Sequence, residues 1–494
     1  MRCICFFIVI VTTIVLGELF QPEDLVYKGA FKVPLLSYGG WPLAYSPDGD
    51  PAGPNDGYPG SLYGMGHIYD LYVAEFSIPA PVISTNKNSN DLPSPVTLQQ
   101  LTDICPVPGP YVPNEDHFSI KGMLYLPQQG AQASDKLYVN WGYNWGEPPY
   151  NISVPSQGWC NPNLADAQPT DMWSIGGLFQ MLTTGYLVEI PKEWADSHVG
   201  GKYLGTGVYR WNSGRDQGGS HGPTIYAVAP WQDGNPPDSG SAVSYVELLR
   251  YSAAHPFDDS FWTVCNSTLA CYKCDEWDGA VWLTSGNKSS LVFIGTKALG
   301  GCSSAGATTH KHALMFYDPA DLAAVAGGTM ESWEPQPYAY MDLDPYMWEQ
   351  MSIAYSHRRL TQGAYDREHG LLYIMENYTL SGGVPIIHVF QHEAAASVAG
   401  NGRASSATME LTIAPSPFNA TAMIRACHAG ILPLASATVF IYDQRGGLAD
   451  RITTTAAVLG AGLQWNPGIL ASGIYYIKVH MQGHTLVANA ALVR

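Results

Sequence analysis

The sequence predicts an all-β protein, a six- or seven-bladed β-propeller over residues 25–395 followed by a small immunoglobulin-like β-sandwich over residues 407–494. Three observations lead there. Short β-rich apolar runs alternate with Gly/Pro/Asn-rich loops through the first 395 residues, and no long stretch carries a helical period. The runs recur at intervals of roughly 50 to 65 residues, which suits the repeated sheets of a propeller. Small and polar residues then fill a linker at 396–406, and the segment from Ala407 onward carries a net positive charge although the whole chain is at −18.

The N-terminus opens on Met1-Arg2 and runs through an apolar core from Phe6 to Leu16, with a small residue, Gly17, at its end. One positive charge, an apolar stretch and a small residue form a secretory signal peptide over residues 1–17, shorter than the ~20 residues of a membrane span. The expectation is a secreted or cell-surface protein without a membrane span in its mature form. Charged residues at 13%, with Gly 51, Pro 36 and Tyr 30, suit an exported, loop-rich chain. Only 24 Lys and Arg, scattered along an acidic chain, argue against nucleic acid.

The plainest strands are Tyr72–Ile78, Gly122–Leu126, Lys136–Trp141, Gly185–Ile190, Ala280–Thr284, Leu291–Thr296, His312–Tyr317, Leu371–Met375 and Ile386–Phe390. Ser285–Ser289 has the composition of a hairpin loop. Pro79, Pro127, Pro191 and Pro319 each follow a strand, because proline cannot donate to a ladder. Lys192–Asp196 and Ala320–Ala326 are expected to be short helices.

Seven cysteines follow the signal segment. Cys265, Cys271, Cys274 and Cys302 fall close together, and an oxidising compartment favours two disulfides there over a four-thiolate zinc site. Cys105 with Cys160 would form a third bridge, leaving Cys427 unpaired. Asp48, Asp50, Asn55 and Asp56 place oxygen ligands on one Gly/Pro-rich loop, a candidate Ca²⁺ site or an acidic turn. His310 and His312 lie two apart, so on a strand they share a face and could share a metal, or stand solvated at a strand end.

His67, His117, His221 and Glu276 recur at similar positions in the repeat and would converge near a propeller axis together with Arg215 and His357. His117, His221 and Glu276 are the candidate acid/base groups there; as plain structural residues they would tie neighbouring strands together. No G-x-S-x-G elbow, P-loop, dinucleotide fingerprint or H-E-x-x-H occurs.

In the terminal segment, Pro415-Ser416-Pro417-Phe418-Asn419-Ala420-Thr421, Val439–Gly447, Trp465-Asn466-Pro467-Gly468 and Leu470–Val479 follow one another in an order that resembles the C-terminal FlgD-like or type IX secretion sorting domain of exported bacterial proteins. The resemblance implies a small sandwich and a sorting role. Segments such as Phe316–Leu322, Gly363–Asp366 and Gly370–Ile374 resemble exported, propeller-like bacterial proteins, and that resemblance implies no activity.

Three function classes follow: a secreted or surface propeller that binds a glycan or protein partner, a structural subunit that self-associates into an extracellular assembly, and a polysaccharide hydrolase or lyase with an axial site. The first is favoured, because no acid/base motif stands out and the charge-poor, Tyr-rich surface suits contact with partners. The export reading has a direct check. Mass spectrometry of the mature protein should find a chain lacking about 17 N-terminal residues, and an intact Met1 would refute it.

Overall fold

Runs such as Ala280-Val281-Trp282-Leu283 and Leu291-Val292-Phe293-Ile294 are apolar at every position, the pattern of strands buried on both faces. In the computed structural model they lie in a set of twisted antiparallel sheets packed face to face. The structure describes residues 18–39, 42–50, 53, 57–67, 72–105, 118–143, 155–208, 222–251, 264–265, 267–269, 275–303, 306–348, 360–392, 410–414, 418–427, 436–442, 448–468, 470–481 and 484–493. The chain divides into two compact units, residues 1–397 and 398–494.

Unit 1 begins with β1 (Val26–Lys32). A first sheet follows in chain order: β2 (Leu43–Ser46), β3 (Ser61–Met65), β4 (Tyr72–Ser77) and β5 (Thr97–Asp103). The second holds β6 (Phe118–Leu126), β7 (Lys136–Tyr143) and β8 (Gln157–Cys160), with Trp173 bridging to Gln157 at its edge. Next, β9 (Ser174–Ile175) pairs in parallel with β13 (Ala242–Val243) beside a third sheet of β10 (Tyr186–Glu189), β11 (Leu204–Gly207), β12 (Ile225–Val228) and β14 (Tyr245–Leu249). The fourth comprises β15 (Val264–Cys265), β16 (Glu276–Ser285), β17 (Lys288–Ser303), β18 (Gly306–Tyr317) and β19 (Pro337–Asp342). The fifth is β20 (Leu360–Asp366), β21 (Leu371–Leu380) and β22 (Val384–Gln391), and β1 from the other end of the unit completes it by pairing with β22.

The first strands of the five sheets adjoin one another in the order β2, β6, β10, β16, β20 and back to β2, so they close a ring. Five apolar clusters fill the spaces between successive sheets. Alternation along one strand serves two of these clusters at once: Ala280 and Trp282 face the third sheet, whereas Val281 and Leu283 face the fifth. This double duty produces the unbroken apolar runs. The described residues hold five such sheets where strand spacing suggests six or seven units, because the repeat from one first strand to the next is about 70 to 90 residues once the long connecting loops are included. The short helices appear where expected, as α1 (Lys192–His198) and α2 (Pro319–Ala326), the second capped by the Asp318 side chain on Ala320 N.

Glycines let the ring close. A Cβ on Gly122 of β6 would lie 2.8 Å from Leu187 N and Tyr186 C of β10, and one on Gly279 of β16 would lie 2.6 Å from Thr361 O of β20. Across the middle runs the side chain of Gln362. Its Oε1 accepts from Met123 N at 3.0 Å, and its Nε2 donates to Met123 O at 2.5 Å and Leu187 O at 3.0 Å. β20 is next to neither β6 nor β10 in the ring, so this one amide spans its centre.

Cys105 and Cys160 are free thiols in one apolar cluster between the first and second sheets, not the bridge expected from the sequence. Burial pushes both up to about 12, so they are unreactive thiols as they stand. Cys265 lies opposite Gly300, two residues before Cys302, in the pairing of β15 with β17. Cys271 and Cys274, the side chains of Cys265, Cys302 and Cys427, the signal segment and the linker lie outside the described residues.

Unit 2 consists of a three-stranded sheet, β23 (Glu410–Ala414), β24 (Ala422–Cys427) and β27 (Leu463–Trp465), and a four-stranded sheet, β25 (Ser436–Tyr442), β26 (Leu448–Thr455), β28 (Gly473–Met481) and β29 (His484–Leu492), with α3 (Ala456–Ala461) between β26 and β27. Ile424 and Trp465 of one sheet share a core with Val439, Ile441, Ile477 and Val479 of the other. Among the described residues of the chain, no helix is long and apolar enough to cross a membrane.

The ring's tightness is testable at one position. Gly279→Ala would press a methyl onto the Thr361 and Gln362 backbone and should cost about 1–3 kcal/mol, whereas Gly177→Ala, where nothing lies within 4 Å, should be near neutral. Denaturant midpoints of the two variants, read against the parent, decide it.

Candidate functional site

Four of the five first strands carry the same short pattern, a polar residue, glycine and then apolar or aromatic residues. It reads Lys121-Gly122-Met123-Leu124, Thr184-Gly185-Tyr186-Leu187, Asp278-Gly279-Ala280-Val281 and Gln362-Gly363-Ala364-Tyr365. The glycine sits where neighbouring strands touch. Beyond it, residues of all five strands line a cavity of about 310 Å³.

Four of the strands deliver functional side chains to this cavity: Tyr45 and Asp48 from β2 and its turn, Tyr125 from β6, Glu189 from β10, and Tyr365, Asp366, Arg367 and Glu368 from β20 and its turn, while β16 lines it with Ala280–Trp282 and keeps the Trp282 ring in the core beside the third sheet. Asp135, just before β7, joins them.

Tyr125 donates its hydroxyl to Asp135 Oδ2 at 2.8 Å, and Gln128 N donates to Oδ1 of the same carboxylate at 2.8 Å. Asp366 is 1% exposed and accepts from Glu368 N and His369 N at 3.1 Å each, with His369 Nδ1 at 2.8 Å. Arg367 reaches two other strands, donating to Glu189 Oε2 of β10 at 3.1 Å and to Thr284 Oγ1 at 2.6 Å and Trp282 O at 3.3 Å of β16, while its guanidinium lies over the Tyr365 ring. The Tyr365 hydroxyl donates to Thr284 O at 2.8 Å and meets His392 Nε2 at 2.8 Å. Asp48 and Glu368 are exposed on the rim.

The electrostatics are those of a negative pocket. Burial, and then the charges of Asp366, Glu368 and Asp48, push the Tyr45 hydroxyl well above its usual range. Burial followed by Asp135 and Asp48 does the same at Tyr125. Tyr365 is pushed up to about 12 by burial, although Arg367 and the Thr284 contacts pull the other way. All three tyrosines therefore stay neutral hydroxyls at physiological pH.

Of the residues singled out in the sequence, Asp48 lines this cavity and Asp50 stays in the same loop, while Asn55 and Asp56 lie outside the described residues. Glu276 stands at the opposite, N-terminal end of β16, and His67 bridges to Gly39 ahead of β2, so both are at the other end of the ring. His117, His221, Arg215 and His357 lie outside the described residues. His310 and His312 share one face of β18, but both are buried rather than solvated. His312 Nδ1 meets Asp344 Oδ1 at 2.9 Å, and Lys311 holds Asp344 Oδ2 at 2.8 Å. Among the described residues no three His, Cys, Asp or Glu side chains gather into a group able to hold a metal ion.

Tyr45, Tyr125, Asp135, Glu189, Asp366, Arg367 and Glu368 escaped the sequence reading. The repeated polar-Gly pattern was the signal that could have found Tyr125, Glu189, Asp366, Arg367 and Glu368, since it aligns the residues that follow it, whereas Tyr45 and Asp135 follow no such pattern.

No family model and no curated protein matches the chain. Among solved structures it is similar to dimeric latent PorU from Porphyromonas gingivalis, at 10% identity over 76% of this chain and 34% of that one, with a TM-score of 0.15. This chain thus spans about a third of that protein. It is also similar to Trypanosoma rangeli sialidase in complex with sialic acid, at 8% identity over 97% and 87% of the two chains, with a TM-score of 0.27. A further Trypanosoma rangeli sialidase structure gives 9% identity, coverages of 92% and 75%, and a TM-score of 0.23. At TM-scores of this size the site is read from its own residues.

The His312–Asp344 pair gives a pH prediction. Burial acts to raise the Asp344 pKa, but hydrogen bonds from His312 and Lys311 outweigh it and hold the carboxyl down at about 2, from an ordinary 3.8. A depressed carboxylate contributes stability above its unfolded pKa and loses it as pH falls through the folded one. Asp344→Asn should therefore lower the melting temperature at neutral pH, and the gap from the parent should close between about pH 4 and pH 2. Melting curves across that range read the outcome.

Proposed function

We propose that unit 1 is a five-bladed β-propeller that works outside the cell by holding a saccharide in its axial cavity, and that unit 2 is an immunoglobulin-like sandwich that directs the chain to the cell surface. The observation that carries the first part is the convergence of tyrosine hydroxyls, carboxylates and aromatic rings from four of the five first strands and their turns on one open cavity. Hydroxyl and carboxylate groups match the alternating donors and acceptors of a polyol, and ring faces match its C–H faces. The closed ring and the five inter-sheet cores support the propeller reading.

Binding rather than turnover is favoured because most of the polar groups are already fixed in place. Asp135, Asp366, Glu189 and Tyr365 are each held by partners, which suits a preset recognition surface. A second reading is a hydrolase using Asp48 and Glu368, two carboxylates on the same cavity that have no hydrogen-bond or ion-pair partner for their side chains among the described residues, since glycoside hydrolysis works with such a pair. For unit 2 the support is a two-sheet fold with a single shared core, together with the sequence resemblance.

A glycan array followed by titration calorimetry tests the site in the mature chain. At least one saccharide should bind, and Asp135→Asn, which keeps the shape but removes the charge, should weaken it about tenfold. Absence of any saccharide binding, or unchanged affinity in the variant, would overturn the reading. Release of reducing sugar that disappears in Asp48→Asn/Glu368→Gln would move it to the hydrolase. Secretion of a chain lacking residues 407–494 at the parent's level would remove the sorting role.

A further inference from the structure

Resting on the saccharide reading above, we propose that the axial cavity selects a ligand carrying a protonated amine, an amino sugar, over neutral and acidic saccharides. The argument starts from what the cavity offers a charged group. Among the described residues, five carboxylates line it, Asp48, Asp135, Glu189, Asp366 and Glu368, against one cation, Arg367, and no lysine.

That single cation is already engaged. Arg367 donates to Glu189, Thr284 and Trp282 O, and its plane covers the Tyr365 ring. An acidic sugar entering the cavity would meet no free basic partner and would face the carboxylates instead. Repulsion of that kind rejects a ligand as effectively as a clash.

The carboxylates differ among themselves in a way that fixes where an amine would sit. Asp366 and Asp135 have both oxygens occupied by N–H or O–H donors from their own turns. Glu189 is neutralised by Arg367. Among the described residues Asp48 and Glu368 have no side-chain partner; both line the cavity, and the charges of both bear on the Tyr45 hydroxyl. They supply uncompensated negative charge beside the low-dielectric wall of a cavity, where an ammonium is attracted more strongly than on open surface.

The neighbouring rings strengthen the case. Tyr45 and Tyr125 line the same cavity, and an aromatic face attracts a cation as well as the apolar face of a sugar ring. The carboxylates are spread around the rim, and among the described residues they do not gather as a metal-holding group. An extended organic cation matches this lining, with one ammonium for Asp48 and Glu368 and hydroxyls that donate to the Tyr45 and Tyr125 oxygens, whose own protons are given to Pro59 O and Asp135.

The test compares oligosaccharides that share a skeleton and differ in charge. The β-1,4-linked trisaccharides of glucosamine and of N-acetylglucosamine, together with a galacturonic acid trimer, would be titrated into the mature chain at about pH 6, where the free amine is protonated. The glucosamine trimer should bind about tenfold tighter than its acetylated form, the uronate should be weakest, and 0.5 M NaCl should shrink the difference. Asp48→Asn/Glu368→Gln, two exposed rim positions, should abolish the preference, so that within the variant the glucosamine trimer binds no tighter than its acetylated form.

Equal binding of charged and acetylated trimers, tighter uronate binding, or a preference that survives the double variant would overturn the inference while leaving the saccharide reading intact. A lysine tripeptide binding tighter than the glucosamine trimer would also overturn it, in favour of a basic peptide ligand. If no trimer binds, this inference falls, and the glycan array decides the saccharide reading separately.

Discussion

The close approach of the five first strands is the constraint on which unit 1 depends. Where Gly122 faces β10 and Gly279 faces β20, backbone meets backbone at distances that exclude any side chain. Sheets splay apart from such a centre, so each gap widens outward and must be filled by progressively larger groups. The five inter-sheet cores show that filling, with tryptophans such as Trp141, Trp159, Trp231 and Trp282 among the residues used. Gln362 completes the centre with three hydrogen bonds to strands on the far side, which satisfies its own buried amide and fixes the ring's width.

Closure of the ring is also a problem of chain connectivity. The fifth sheet takes its outer strand, β1, from the beginning of unit 1, so its two ends meet only after everything between them is placed. The segment ahead of β1 is tied to the fourth sheet. Glu18 bridges to Lys288, Phe20 N donates to Ser290 Oγ, Tyr338 donates to Phe20 O at 2.7 Å, and Asp24 pairs with Lys288 at 2.8 Å. These are modest contacts individually. Together they position β1 to receive β22.

The cavity follows from the same geometry. Strands that touch at their glycines diverge past them, and the residues at their C-terminal ends are left facing a shared space. Tight turns there place Asp366, Arg367 and Glu368 in immediate succession, with Asp366 spent on its own turn and Arg367 spent on two neighbouring strands. The low fraction of charged residues in the chain makes this concentration of carboxylates the more consequential, because little nearby compensates it.

By itself the sequence determined the all-β class, most strand positions, the two short helices of unit 1 and the separate character of the terminal segment. Those are local properties: β-rich runs, prolines that end ladders and a change in composition are written into consecutive residues. The number of sheets was less legible, because long loops stretch the repeat beyond the spacing of the plainest strands. His310 and His312 were rightly placed on one face of a strand, yet their burial depends on the fifth sheet packing against that face. Asp48 could be picked out as an acidic loop residue, but its neighbours Tyr45, Tyr125, Asp135 and Glu368 come from three different sheets. Only the closed ring decides which strand ends meet. That decision is made by backbone contact at glycines more than 60 residues apart, a relation no local reading of the chain contains.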